Sequence, residues 1–461
     1  MGAASPSASR SRTPPSPPLP AALQTLLWIQ RPVALMQWCR RRFGPTFLIK
    51  LPPFHLVMLS DPESIRTVFA AKGDEMHAGE VNRILRALVG PSSVLLLDGP
   101  EHMRHRKLLL PSFHGERMRH YGETMAEITR HTIAGWPLDT PFALHPHTQE
   151  ITLQIILRTV FGADKGSQLS LLSERIKKML SIGETRISIM GLLYLSEHPD
   201  VESRQPWKWL LRNRAATDAL LYEQIAARRK ETRTDREDVL AMLLQARDET
   251  GAGMTDAELR DELMTALAAG HETTATSLAW AFERLLTHPA TLARLREELR
   301  GAGGADASPE TLTALPYLDA VVKEVMRLRP VIPLVGRVLQ KPYRLGGYDL
   351  PKGTTVAANI FLSHRNPDVY PEPDAFRPER WLGVQPDPAS WLPFGGGIRR
   401  CIGAAFALYE MKIVLATILT HCELELAQKP ARIVRRAVTF WPEGGTRVRV
   451  KRRLVKDKAA A

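Results

Sequence analysis

A single helix constrains the fold more than anything else in the sequence. Thr255-Asp256-Ala257-Glu258 is a capping box, in which a hydroxyl residue and the glutamate three positions later can each satisfy the other's backbone amide. The helical pattern that it opens runs to about His288, just before Pro289. At 1.5 Å per residue such a rod is about 50 Å long, enough to cross a whole domain. Its middle, Leu263 to Ala269, is nearly all apolar and needs cover on most sides. A buried rod of that length predicts a large helical body assembled around it.

The rest of the pattern agrees. Leu220-Leu221, Ile225, Val239-Leu240 and Leu243-Leu244 lie on amphipathic stretches, and Leu292, Leu295 and Leu299 form another. Strand-like pieces are few. Two short runs flank Pro52-Pro53 between Thr46 and Leu59. A second group lies between Tyr343 and Ile360, with turns at Gly346-Gly347 and Lys352-Gly353. A last hairpin is expected from Val434 to Val450, turning near Pro442-Glu443-Gly444-Gly445. The expected class is mainly α with small peripheral β-sheets (α+β). Residues 1–20 hold six prolines and five serines and read as a disordered tail. Residues 21–455 read as one domain, and 456–461 as a C-terminal tail.

With 44% apolar and 24% charged residues the chain has ordinary globular composition, which excludes collagen-like and wholly disordered architectures. The excess of 62 Lys+Arg over 49 Asp+Glu gives +13. It is scattered among Arg40-Arg41-Arg42, Arg228-Arg229-Lys230, Arg399-Arg400 and Lys451-Arg452-Arg453, without the aromatic-laced stripe that a nucleic-acid surface needs. Leu23, Leu26, Leu27, Trp28 and Ile29 are interrupted by Gln24 and followed by Gln30, Arg31 and Pro32, well short of the roughly 18 apolar residues of a membrane span. No small-residue cleavage site follows them. A soluble, cytoplasmic protein without a transmembrane anchor is expected.

Three cysteines far apart (Cys39, Cys401, Cys422) form no disulfide framework. Cys401 is set apart by its neighbours, Phe394-Gly395-Gly396-Gly397-Ile398-Arg399-Arg400-Cys401-Ile402-Gly403, followed by a strong helical run from Ala404 to Thr420. Consecutive glycines allow close backbone approach. A helix N-terminus and two arginines favour an anionic sulfur, so a thiolate at neutral pH is expected. Such a thiolate could be a nucleophile, although no base is pointed out among fourteen histidines, or a metal ligand. Zinc would want further ligands at short spacing. A lone thiolate suffices where a porphyrin supplies the others. Inside the long helix, Ala269-Gly270-His271-Glu272-Thr273-Thr274 places a helix-weakening glycine beside an acid and an alcohol, which needs a packing or functional reason.

These segments together resemble the cytochrome P450 superfamily. Residues 394–403 fit its haem-loop pattern Phe-x-x-Gly-x-Arg-x-Cys-x-Gly. Glu324-Val325-Met326-Arg327 resembles its Glu-x-x-Arg element. Pro378-Glu379-Arg380-Trp381 is similar to its Pro-Glu-Arg-Phe element, with Trp in the last place, and 269–273 resembles its oxygen-activating segment. The resemblance implies a long helix over a haem and a cysteine loop beneath it. It implies haem b held by the Cys401 thiolate, with Phe394 in the haem loop and His102, Arg106, Arg337 and Arg399 at the propionates. Glu272 and Thr273 would form a proton relay, and Glu324, Arg327 and Arg380 a structural charge network. His102 and Arg106, four apart on a helix, could otherwise be a plain surface face.

By the same resemblance, substrate contacts should come from 78–96, 181–196, 263–271, 331–335 and 438–441, with Ile84, Leu88, Leu267, Ala268, Val331, Ile332, Val335 and Phe440 as candidates. Their apolar character suits a fatty acid, terpenoid or steroid. The implied reaction is insertion of one atom of O2 into that substrate, with electrons from a separate ferredoxin or flavodoxin and its reductase. Alternatives are a peroxide-driven haem oxygenase or isomerase, a non-turnover haem sensor, and a haem-free cysteine hydrolase. The acid–alcohol pair argues against the first two, and the full motif set against the last.

Overall fold

The computed structural model describes residues 13–52, 54–113, 117–162, 167–180, 208–231 and 236–455. The expected tail at 1–12, the C-terminal tail at 456–461 and the substrate segment at 181–196 lie outside them. At its centre is the Asp256–Leu286 helix of 31 residues. Its capping box forms in both directions: the Glu258 amide donates to Thr255 Oγ1 at 3.2 Å, and the Thr255 amide to Glu258 Oε2 at 2.7 Å. It stops two residues short of the expected limit. His288 precedes Pro289, whose ring forces it out of the helical region (φ −130°, ψ 76°).

Two of the helices that pack against this central one position the site. The Leu144–Phe161 helix crosses it at Gly270, where a Cβ would stand 3.0 Å from Ile156 Cδ1. Close approach therefore explains the mid-helix glycine. Thr148 and Thr152 of the crossing helix donate to the Ala275 and His271 carbonyls, each at 3.0 Å, and fix the register of the two rods. The Ala404–His421 helix follows the cysteine loop. Its mean hydropathy of 1.3 and 18 residues would let it cross a membrane. Here Met411, Ile413, Val414, Leu415 and Ile418 are buried in the main core.

The sheets are peripheral, as expected. The largest has the order Thr46–Leu51, Phe54–Leu59, Thr355–Ala358, Val335–Leu339, Met76–His77. All its pairs are antiparallel except the parallel pair of Phe54–Leu59 with Thr355–Ala358. Tyr343–Leu345 and Tyr348–Leu350 make the expected small hairpin. The last hairpin differs from expectation. Ile433–Arg436 pairs with Thr439–Pro442, turning at Ala437, whose φ is +46°. Arg447–Arg453 belongs to another sheet, between Cys422–Leu426 and Phe142–Ala143. Pro442 to Gly445 is thus a link between sheets.

The expected tail also ends earlier than residue 20. The Leu48 amide donates to the Pro15 carbonyl at 2.8 Å, and Pro14 and Pro17 are buried. Gln24, fully buried, donates to the Pro17 and Leu19 carbonyls and accepts from the Lys50 amide. Prolines lack an amide to satisfy, so this segment docks through its carbonyls alone.

Candidate functional site

The cysteine loop is shaped by the Pro62–Ala70 helix beneath it. A Cβ on Gly396 would stand 2.3 Å from the Phe69 ring. One on Gly397, whose φ is +63°, would collide with the Phe69 carbonyl. These two glycines seat the loop against its support. Phe394, stacked edge-on against Trp391 at 5.9 Å, accepts the Cys401 amide at 3.0 Å on its carbonyl. Cys39 and Cys422 are buried, whereas the Cys401 side chain is open to solvent. Protein nevertheless crowds the Cys401 sulfur. Desolvation pushes the thiol pKa up, against the lowering by the Gly403 amide, Arg106 and Arg400. The expectation of a thiolate made by the helix terminus and two arginines is therefore corrected. Arg399 faces elsewhere, and Arg106 takes its place near the sulfur.

Arg399 is turned onto the Val94 carbonyl at 3.0 Å, the Leu97 carbonyl and the Asp98 carboxylate. Around it the structure gathers the other three residues of the implied propionate set. His102 is buried. Burial, with the charges of Arg399, Arg106 and Arg337 behind it, lowers its pKa to about 3, so it is a neutral donor. Arg337 is buried on the Val335–Leu339 strand, and burial followed by repulsion from Arg399 lowers its pKa to about 10. Arg106 donates to the Arg400 carbonyl at 2.7 Å, and burial lowers its pKa as well. Among the described residues the carboxylate that opposes this charge is Asp98. Three guanidinium groups and a neutral imidazole against one carboxylate leave a positive excess in a confined space. Chemically that is a seat for anions.

The Gly99–Leu109 helix brings His102 and Arg106 there, and it is tied to the central helix by residues that sequence reasoning missed. His105 Nδ1 meets Glu262 at 2.7 Å and Nε2 meets Glu258 at 3.2 Å, while Arg104 bridges Asp248 and Glu258 at 2.6 and 2.7 Å. Burial opposes the His105 cation, but the two glutamates outweigh it and raise its pKa. The signal was present in the sequence as two more polar residues, 104 and 105, inside the His102–Arg106 stretch.

The centre of the long helix is mostly buried, yet Ala269 is exposed and Thr273 is partly so. The Thr273 hydroxyl donates to the Ala269 carbonyl at 2.7 Å. Glu272 points to the crossing helix instead. It accepts from Gln149 at 2.6 Å and Thr276 at 3.1 Å and lies 3.3 Å from His145 Nε2. Burial would raise its pKa, but His145 and Gln149 more than reverse this, and the carboxyl is held below its usual range. The acid and the alcohol are adjacent in sequence and face different neighbours.

In the third group Glu324 and Arg327 are fully buried and Arg380 is partly so. Glu324 takes two hydrogen bonds from Arg327 at 2.8 Å, one from Arg380 at 3.1 Å and one from the Arg377 amide at 2.9 Å. Trp381, which stands where the resemblance expects Phe, adds its indole N–H at 2.9 Å. His364, also missed by sequence reasoning, connects this network to the cysteine segment. Its Nδ1 donates to the Arg327 carbonyl and its Nε2 accepts the Leu392 amide.

Of the substrate candidates, Ile84, Leu88, Ala268, Ile332 and Val335 are only partly buried, and Val331 nearly fully so. Leu267 and Phe440 are corrections. Leu267 has no exposed surface and belongs to the main core. Phe440 packs edge-on against Phe361 at 5.6 Å within the N-terminal core. Leu267 is one helical step from the partly open Ala266 and Ala268, and a 100° rotation turns it inward.

A family model described as Cytochrome P450 matches residues 14–447. Cytochrome P450 135B1 of Mycobacterium tuberculosis (strain ATCC 25618 / H37Rv) is 41% identical over 95% of this chain and 91% of its own length. Cytochrome P450 138 of Mycobacterium bovis is 38% identical over 96% and 97%. Among solved structures, retinoic acid-bound cyanobacterial CYP120A1 superposes with a TM-score of 0.81 at 26% identity, covering 96% of this chain and 99% of that one. The heme domain of cytochrome P450DA gives 0.83 at 26% identity, covering 96% and 98%.

Proposed function

This chain belongs to the cytochrome P450 family, and from that premise we propose that Cys401 would supply the thiolate that holds its haem b and that Glu272 and Thr273 carry protons to the site. As a member it is a haem–thiolate monooxygenase. The observation that carries the site assignment is the exposed residue Cys401 flanked by an under-neutralised cluster of cations. The donor set fits the cofactor: one sulfur for iron, and Arg106, Arg337, Arg399 and His102 for the two propionates. When bound, haem b supplies the redox chemistry that places one oxygen atom of O2 in substrate and the other in water.

The chain's own part is to hold and to move protons. Arg399 would share its guanidinium between Asp98 and a propionate. His102, neutral, donates a hydrogen bond without adding to the local charge. The partly exposed Thr273 Oγ1 would exchange its hold on the Ala269 carbonyl for donation of its proton at the site. Glu272 takes protons in from the face of the crossing helix. Positioned proton transfer of this kind is worth about 10²–10⁴-fold in rate.

The partly open apolar residues Ile84, Leu88, Ile332 and Val335 favour a lipophilic substrate of the fatty acid, terpenoid or steroid class. The retinoic acid named for the CYP120A1 structure is such a molecule. Electrons come from a separate acidic ferredoxin or flavodoxin with its reductase. Exposed Arg400, next to the ligand, gives that partner a docking charge. The enzyme works as a soluble cytoplasmic protein. Thr273→Ala tests the relay. Haem content and substrate affinity should stay unchanged while reducing equivalents appear as hydrogen peroxide. Undiminished product per electron would overturn the role given to Thr273.

A further inference from the structure

Glu272 is held by a partner outside the motif that contains it. His145, buried at the start of the crossing helix, packs its ring edge-on against Trp441 at 5.1 Å. Its Nε2 lies 3.0 Å from Thr276 Oγ1 and 3.3 Å from Glu272 Oε1. Thr276 Oγ1 lies 3.1 Å from the same Glu272 oxygen. The carboxylate can only accept, so the Thr276 hydroxyl donates to it. The hydroxyl then has a lone pair free for an imidazole N–H, which places the proton on His145 Nε2. The chain runs His145 to Thr276 to Glu272, with Gln149 on the other carboxylate oxygen.

Thr276 is one helical turn beyond Glu272, so the hydroxyl stands over the acid on the same helix face. Thr273 is one step of about 100° away. The chain therefore keeps the acid turned from the alcohol that it must supply. We propose that His145 is the positioning residue that holds Glu272 ionised against the crossing helix, and that proton delivery proceeds when Glu272 leaves this hold. The proposal rests on the relay assigned above. The depressed pKa of Glu272, reversed from what burial alone would give, agrees with it.

The other charged groups around the acid are few. On its own helix, His271 is buried with both ring nitrogens unpartnered, and burial lowers its pKa to about 4, so it stays neutral. Glu150 of the crossing helix pairs with Lys177 of the Ser167–Leu180 helix, and both act on His271. Beside the amide donor Gln149, that leaves the His145–Thr276 pair holding the acid on its other oxygen.

Two variants test this in the haem-loaded enzyme. His145→Phe keeps a ring against Trp441 but removes the donor, and His145→Gln keeps a donor. The first readout is the infrared carboxyl band of Glu272, identified by its loss in Glu272→Gln and titrated with pH. The second is the pH profile of product formed per electron. In His145→Phe the Glu272 midpoint should move up, and the Glu272-dependent limb of the profile should move up with it, with roughly tenfold slower proton-limited turnover at neutral pH. Haem content should not change, and His145→Gln should restore most of both shifts. A Glu272 midpoint that stays put in His145→Phe, or a Gln variant as perturbed as the Phe one, would overturn the proposal. If Glu272→Gln itself leaves turnover untouched, the relay is what fails, and the infrared midpoint still decides whether His145 holds the acid.

Discussion

Two clusters of buried arginine in this molecule solve opposite problems. Around Glu324 every charge has an answer. Arg327 reaches the Glu324 carboxylate twice and the carbonyls of His364, Pro373 and Ala375, while Arg380, the Arg377 amide and Trp381 complete the acid. Around His102 the charges repel. Besides burial, Arg399 lowers the pKa of Arg337 and Arg106 that of Arg399, and among the described residues Asp98 is the carboxylate that opposes them. The first cluster is complete in the folded chain. The second is complete only with anions from outside. Satisfied charge marks the support of the site, and unsatisfied charge marks its ligand.

The largest effect should come from breaking the complete cluster. Glu324→Leu strands Arg327 in the core at about 3–5 kcal/mol, a large share of a typical 5–15 kcal/mol stability. Soluble yield and haem content should both collapse. A smaller, differently signed effect is expected at the incomplete cluster. Arg337→Gln removes one cation from a repelling set, so the haem-free protein should melt no lower than the parent. Haem should nevertheless be lost about tenfold more readily, since a hydrogen bond to a charged group is worth about 1.5–3 kcal/mol. An apoprotein destabilised as severely as Glu324→Leu would erase the distinction between the clusters.

The smallest effect sharpens the comparison at a third buried acid. Glu410, on the Ala404–His421 helix, has a bond from Thr274 and an unpartnered Oε1, and burial raises its pKa well above 4.5. Among the described residues no cation answers it, so this acid holds its proton to higher pH in the fold than in the unfolded chain. The unfolded chain releases the proton first as pH rises past about 4.5, so Glu410 draws stability down from there until the folded group itself ionises. Glu410→Gln should flatten that decline in denaturant titrations run at several pH values, with little change at pH 4.

Much of this was legible from residue order. The capping box at Thr255 has a purely local cause, and it forms as read. Cys401, Glu324 and Arg327 were visible because motif spacing reports short-range geometry. What the sequence hid depends on contacts between distant segments. Nothing near Glu272 in the chain announces His145, more than a hundred residues away, and nothing near Glu324 announces His364. The hairpin after residue 433 was misplaced because Gly444-Gly445 is a stronger turn signal than Ala437, which is held at positive φ by the strands on either side. The direction of the Cys401 pKa was misread because protein crowding desolvates the sulfur, and because Arg399, next but one in sequence, is claimed by Asp98.

The central claim is that Cys401 ligates haem iron, and the carbon-monoxide complex of the reduced protein tests it most directly. Thiolate donation should give the strongly red-shifted Soret band, and Cys401→His should bind haem in the same cradle yet lose that band, because imidazole donates less electron density. A parent protein whose reduced complex shows an imidazole-type band, or a Cys401→His variant that keeps the red-shifted one, would contradict the account.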